Sequence, residues 1–162
     1  MHTKADEAPL RAERFDAARM ALHARALAGL HVLSQKEASD ALLPRLADNA
    51  AVIAAACASL TRTAGADAAL PAAELLLDHY HLIDEQVRTA RHHLPGAYSR
   101  TLPRLAASGQ ARVHDLGLEF VAHCDSLIEE ASLARFVGAY QERAVLTLGE
   151  LWAVPIMLRL AI

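Results

Sequence analysis

Nine histidines stand among 162 residues, and imidazole beside carboxylate is common material for metal sites. The best-placed group joins Asp78, His81 and Glu85 on one helical pattern to Glu119 and His123 on another. Ligands of these types at helical spacing can hold metal ions inside a bundle, usually through Glu-x-x-His on two helices. No copy of that motif occurs in this sequence. At about 100° per residue, Asp78, His81, Glu85, Arg88 and His92 share a face opposite Leu76, Tyr80, Ile83 and Val87. A core metal needs ligands that point inward, so the spacing predicts a solvated or partner-facing polar stripe. No metal ligand and no cofactor is assigned, and His92-His93 beside Pro95 reads as a helix end.

Other chemistries find less support. There is no serine in a nucleophile elbow, no phosphate-cradling glycine loop and no Asp-x-Asp pair of the kind that holds a metal for sugar-nucleotide transfer. Cys124 follows His123 directly, and adjacent residues on a helix diverge too far to form a dyad. Cys124 falls on an apolar stripe and is expected in the core. The chain by itself is expected to be no enzyme.

The elements that would position these residues are helical throughout. Leu46, Ala50, Ile53, Cys57 and Leu60 line one face of a helix starting near Pro44, with Gly65 after it as a stop. Pro71 opens the next helix, whose stripe of Leu76, Tyr80, Ile83, Val87, Ala90 and Leu94 closes at Pro95-Gly96. Val113, Leu116, Gly117, Phe120 and Cys124 make a third stripe, and Leu133, Phe136, Val137, Tyr140 and Ala144 a fourth. Near the start, Phe15, Ala18, Leu22, Ala26 and Leu33 allow a helix from about Glu7 to Leu33, with Ser34-Gln35-Lys36-Glu37 as a capping box for the helix after it. Residues 95–110, broken by Pro95, Gly96, Pro103 and Gly109, are expected to be non-helical. The fold class is therefore all-α: a helical bundle or array of about five to six helices in a single domain over 1–162.

Composition agrees. The apolar share is 54% but aromatics supply only 4%, so alanine-rich helices should pack closely through small side chains. A net charge of −3, with arginines scattered among acids, argues against a nucleic-acid partner. Cys57 and Cys124 lie far apart in apolar settings, which suits a reducing, cytoplasmic location. The weakly polar run from Ala50 to Leu60 is too short for a membrane span.

The last helix differs from the rest. Thr147-Leu148-Gly149-Glu150 forms a capping box and opens a run to Ile162 that is apolar on every face except at Arg159. Such a helix must be covered by protein or lipid. It is too short to cross a bilayer, and Pro155 should kink it. The pattern is still running at Ile162, so the sequence reads as cut there. Glu150, Trp152, Pro155 and Met157 are the expected partner interface, either with the rest of a larger protein or with a second copy of this chain.

One family is resembled by an ordered string of short motifs. Leu76-Leu77-Asp78-His79-Tyr80-His81-Leu82-Ile83-Asp84-Glu85-Gln86, Leu94-Pro95-Gly96-Ala97-Tyr98 and Leu102-Pro103 come first. Glu119-Phe120-Val121-Ala122-His123-Cys124-Asp125-Ser126 and Arg135-Phe136-Val137-Gly138-Ala139-Tyr140-Gln141 come next. The strongest is Leu146-Thr147-Leu148-Gly149-Glu150-Leu151-Trp152-Ala153-Val154-Pro155-Ile156-Met157-Leu158-Arg159-Leu160. Together, from about Leu42 onward, they resemble the N-terminal region of bacterial cyclic β-1,2-glucan synthases. His79-Tyr80, Asp84 and Leu70 depart from that pattern, where Asn-Phe, Glu and a serine cap are more usual.

The resemblance implies a very large inner-membrane parent enzyme that builds cyclic glucan from UDP-glucose. It places this region ahead of the glycosyltransferase and supplies no catalytic or sugar-nucleotide residue within it. It also implies a partner, the remainder of that synthase, and a position on the cytoplasmic face of the inner membrane.

Overall fold

A computed structural model describes residues 13–35, 42–63, 71–124 and 128–161. Seven helices lie among the described residues: α1 (Ala17–Leu30), α2 (Leu42–Thr63), α3 (Pro71–His93), α4 (Gly96–Thr101), α5 (Arg112–His123), α6 (Glu130–Gln141) and α7 (Leu148–Ala161). No strand forms among them, and the fold is an all-helical array. The bounds 1–162 enclose two compact units, one built from Met1–Glu37 with Leu102–Ile162 and the other from Ala38–Thr101.

In the second unit, α2 packs on α3. Cys57 is buried in α2, and Leu46, Ala50, Ile53 and Leu60 are half-buried on the same face. Along α3, Leu76, Tyr80, Ile83 and Val87 are half-buried while Ala90 is buried. Asp78, His81, Glu85, Arg88 and His92 are exposed, so the polar stripe faces solvent as its spacing requires. The expected non-helical stretch needs correction, because Gly96–Thr101 is helical. The carbonyl of Pro95 accepts from the Ser99 amide at 3.0 Å. A proline with fixed φ thus both ends α3 and prepares the next turn.

The first unit contains the larger core. Leu116, Phe120, Phe136, Ala139 and Tyr140 meet Met20, Ala24, Leu27 and Ala28 there. These are the predicted stripes of α5 and α6, whereas α1 presents a different face from the expected one. Ala18, Leu22 (64% exposed) and Ala26 point outward. In an alanine-rich helix the apolar contrast between faces is weak, and the polar partners of His23 and His31 fix the rotation instead. Helix α1 also begins at Ala17, capped by the Asp16 carboxylate on the Arg19 amide at 2.8 Å, and ends at Leu30. Residues 7–12, part of the expected longer helix, lie outside the described residues, as do Lys36 and Glu37 of the expected second capping box.

Between α4 and α5 the chain turns back on itself. Gly109 adopts φ 69°, a left-handed conformation open to glycine, and Leu105 donates its amide to Gln110 at 2.9 Å. Residues 104–106 then bond with 32–34, through Ser34 N to Arg104 O and Ala106 N to Val32 O, both 2.8 Å. This backbone seam fastens the end of α1 to the entry of α5.

Candidate functional site

Helix α7 lies against α5, and the approach is close because Gly117 faces it. A β-carbon at Gly117 would stand 3.3 Å from the backbone carbonyl carbon and oxygen of Met157. The predicted capping box forms at the start of α7. The Glu150 carboxylate accepts from the Thr147 amide at 2.8 Å, and the Glu150 amide donates to Thr147 Oγ1 at 3.2 Å. Glu150 is also bound by the Arg112 guanidinium, Nε at 2.7 Å and Nη2 at 2.5 Å, with both side chains buried. Burial opposes the charge on Arg112, but the hydrogen bond and charge of Glu150 outweigh it and hold the guanidinium pKa above its usual value.

The anchor extends into a polar chain. Arg112 lies 5.9 Å from the Tyr140 ring centroid, and Tyr140 Oη pairs with His31 Nδ1 at 2.9 Å. His31 Nε2 meets Asp115 at 3.1 Å. Burial raises the Tyr140 pKa above its ordinary value, against the opposing pull of Arg112. Asp115, His31 and Tyr140 stand in series in space, and with Arg112 and Glu150 they tie the end of α1 to α5, α6 and α7.

This geometry divides the expected partner interface. Glu150 and Met157 are fully buried, so both leave it: the first is committed to Arg112, and the second packs under Gly117. Trp152 (73% exposed) and Pro155 remain at the surface, joined by Leu148 (71%) and Leu151. Spacings of three and four put Leu148, Leu151, Trp152 and Pro155 on one side of α7, with Arg159 at its end. The opposite side carries Ala153, Ile156, Met157 and Ala161 into the unit. Among the described residues, a helix apolar all round is thus covered on one face.

A second cluster forms where α5 ends and α1 begins. Glu119 and His123, one turn apart on α5, meet His23 of α1. The Glu119 carboxylate lies 2.8 Å from His23 Nε2 and 3.8 Å from His123 Nε2. His123 Nδ1 donates to the Glu13 carbonyl at 2.7 Å, and the Phe15 ring stacks on its imidazole at 3.8 Å. Asp78, His81 and Glu85 belong to the other compact unit and have no part in this cluster. The i,i+4 pair was visible in the sequence. His23 was not, because the expected stripe of Phe15, Ala18, Leu22 and Ala26 would turn a different face of α1 inward.

Site and fold describe a helical module with a buried ionic anchor and one open apolar helix face. The chain is 40% identical over 91 residues, 55% of its length, to the cyclic beta-(1,2)-glucan synthase NdvB of Rhizobium meliloti (strain 1021). That stretch is 3% of the synthase's own length, so the relation is to a small part of a large protein. The motif resemblance to this synthase family is thereby supported. No family model matches the chain. No helix among the described residues is long and apolar enough to cross a membrane.

Proposed function

We propose that this chain is a non-catalytic helical region of a cyclic β-1,2-glucan synthase. It packs on the UDP-glucose-dependent transferase at the cytoplasmic face of the membrane and orients or regulates it. The observation that carries the reading is the open face of α7. A tryptophan at 73% exposure between Leu148 and Pro155 is the kind of aromatic anchor that dominates binding once a partner excludes water. The likeness to the synthase favours the rest of that enzyme as the occupant. The buried Arg112–Glu150 pair supports the role by holding α7 so that its position on the unit is fixed.

The test places Trp152→Glu with Leu148→Gln in a synthase that carries this region. Both positions are exposed, so helix content should be unchanged by circular dichroism, while assembly with the transferase and glucan output fall. Unchanged assembly and output would remove the proposed role. Light scattering on the isolated chain separates the rival occupant, a second copy. A monomer whose Trp152 is open to acrylamide agrees with the proposal, whereas a dimer that shields Trp152 gives the face to homodimerisation.

A further inference from the structure

We infer that His23, Glu119 and His123 form a binding site for a single divalent transition metal ion of the zinc class. The site is independent of what covers α7.

Three observations carry it. The first is the ligand set, two imidazoles and one carboxylate, whose ligand atoms all lie within 4.8 Å of one another. Metal–ligand bonds of about 2.0–2.1 Å at tetrahedral angles put ligand atoms roughly 3.3 Å apart. The observed separations of 2.8 and 3.8 Å from the Glu119 oxygen fall on either side of that value. With the remaining pair, the two imidazole nitrogens, separated by up to 4.8 Å, side-chain shifts of up to about 1.5 Å would seat the ion.

The second observation is how His123 is held. A carbonyl can only accept, so His123 Nδ1 carries a proton and donates it to Glu13. In the neutral ring, Nε2 is then the lone-pair nitrogen, and it is the one that faces Glu119. Metal-binding histidines are set in this way, with the second ring nitrogen bonded to a backbone carbonyl or carboxylate. Phe15 stacked on the ring, itself covered by the Arg19 guanidinium at 4.4 Å, fixes its plane.

The third is the gradient of exposure. The His123 side chain is 10% exposed, that of His23 24% and that of Glu119 35%. The buried ligand is fixed by the protein, and the other two open toward solvent, from which an ion enters. Three protein ligands leave a fourth position for water. When the ion binds, the metal replaces the proton between His23 Nε2 and Glu119, and the His23 ring stays neutral with its one proton on Nδ1. Because Glu13 and Phe15 sit against His123, the ion would clamp the lead-in of α1 to the end of α5.

The test uses the full chain without a histidine tag, stripped with chelator and titrated with cobalt(II) and zinc(II). The expected result is one equivalent of cobalt with visible d–d bands, displaced by zinc, and a melting temperature that rises on zinc addition. Glu119→Gln keeps the size and a hydrogen-bonding oxygen at this position, so the fold should survive by circular dichroism while cobalt binds at least tenfold more weakly. His23→Ala should do the same. His81→Ala and His92→Ala, at exposed sites on α3, should change nothing. Absence of stoichiometric binding would overturn the proposal. So would binding that survives Glu119→Gln and His23→Ala but is lost with the α3 histidines.

Discussion

Glu150→Ala tests the account of what holds α7 in place. In the folded chain the Glu150 carboxylate accepts from Arg112 Nε and Nη2 and from the amide and hydroxyl of Thr147, the last two at 2.8 and 3.0 Å. Side-chain exposure is 0% for Glu150 and 5% for Arg112. The substitution leaves a guanidinium buried without its counter-charge, which costs about 3–5 kcal/mol. At roughly 2–4 °C per kcal/mol for a chain of this size, the melting temperature should fall by about 6–20 °C. The check is denaturant and thermal unfolding followed by circular dichroism, with amide exchange along α7 as a local readout. Arg112→Met combined with Glu150→Leu should recover part of the loss, since no uncompensated charge remains. Recovery stays partial because Arg112 also donates to the Val145 carbonyl at 3.1 Å. The exposed Arg25–Glu142 pair, of similar bond lengths at 2.7 and 2.9 Å, is the control, and breaking it should matter far less. A Glu150→Ala loss no larger than the control's, or strict additivity in the double variant, would refute the argument.

Three other outcomes rest on the same packing. Gly117→Val should weaken the α5–α7 contact by about 1–3 kcal/mol, because the opposing Met157 atoms at 3.3 Å are backbone; Gly117→Ala should cost less, since alanine regains roughly 1 kcal/mol of helix propensity. In a spectrophotometric titration Tyr140 should ionise above the ordinary phenol range, because burial raises its pKa. Its phenol stays protonated in the fold while the unfolded chain ionises near pH 10, so unfolding measurements should show its contribution intact below that pH and lost as pH rises through the folded value. Asp16→Ala removes the α1 cap and should cost about 1 kcal/mol by denaturant melts, with amide exchange rising first at the Arg19 N–H.

The helices were legible wherever apolar contrast was strong. The stripes Val113–Leu116–Gly117–Phe120 and Phe136–Tyr140 went into the core, and the Thr147–Glu150 box formed as its spacing requires. Helix α1 shows the limit. Its apolar residues are mostly alanines, so small differences in burial could not select a face. His23 and His31 selected it through partners 96 and 109 residues away. Long-range polar bonds of this kind leave no periodic trace in a sequence.

The same limit governs the sites. A capping glutamate followed by an apolar run reads as a helix start, and nothing local says that its carboxylate will also neutralise Arg112, 38 residues earlier. That distant bond removes Glu150 from the surface and turns the α7 helix so that Met157 packs inward and Trp152 outward. One buried ion pair therefore decides which residues of an all-apolar helix a partner could touch. Association at α7 should accordingly depend on Arg112, which lies beneath the exposed face. Arg112→Met should weaken partner binding through a loosened α7, while Trp152→Glu should weaken it with α7 exchange unchanged. The two variants separate the device that presents the surface from the surface itself.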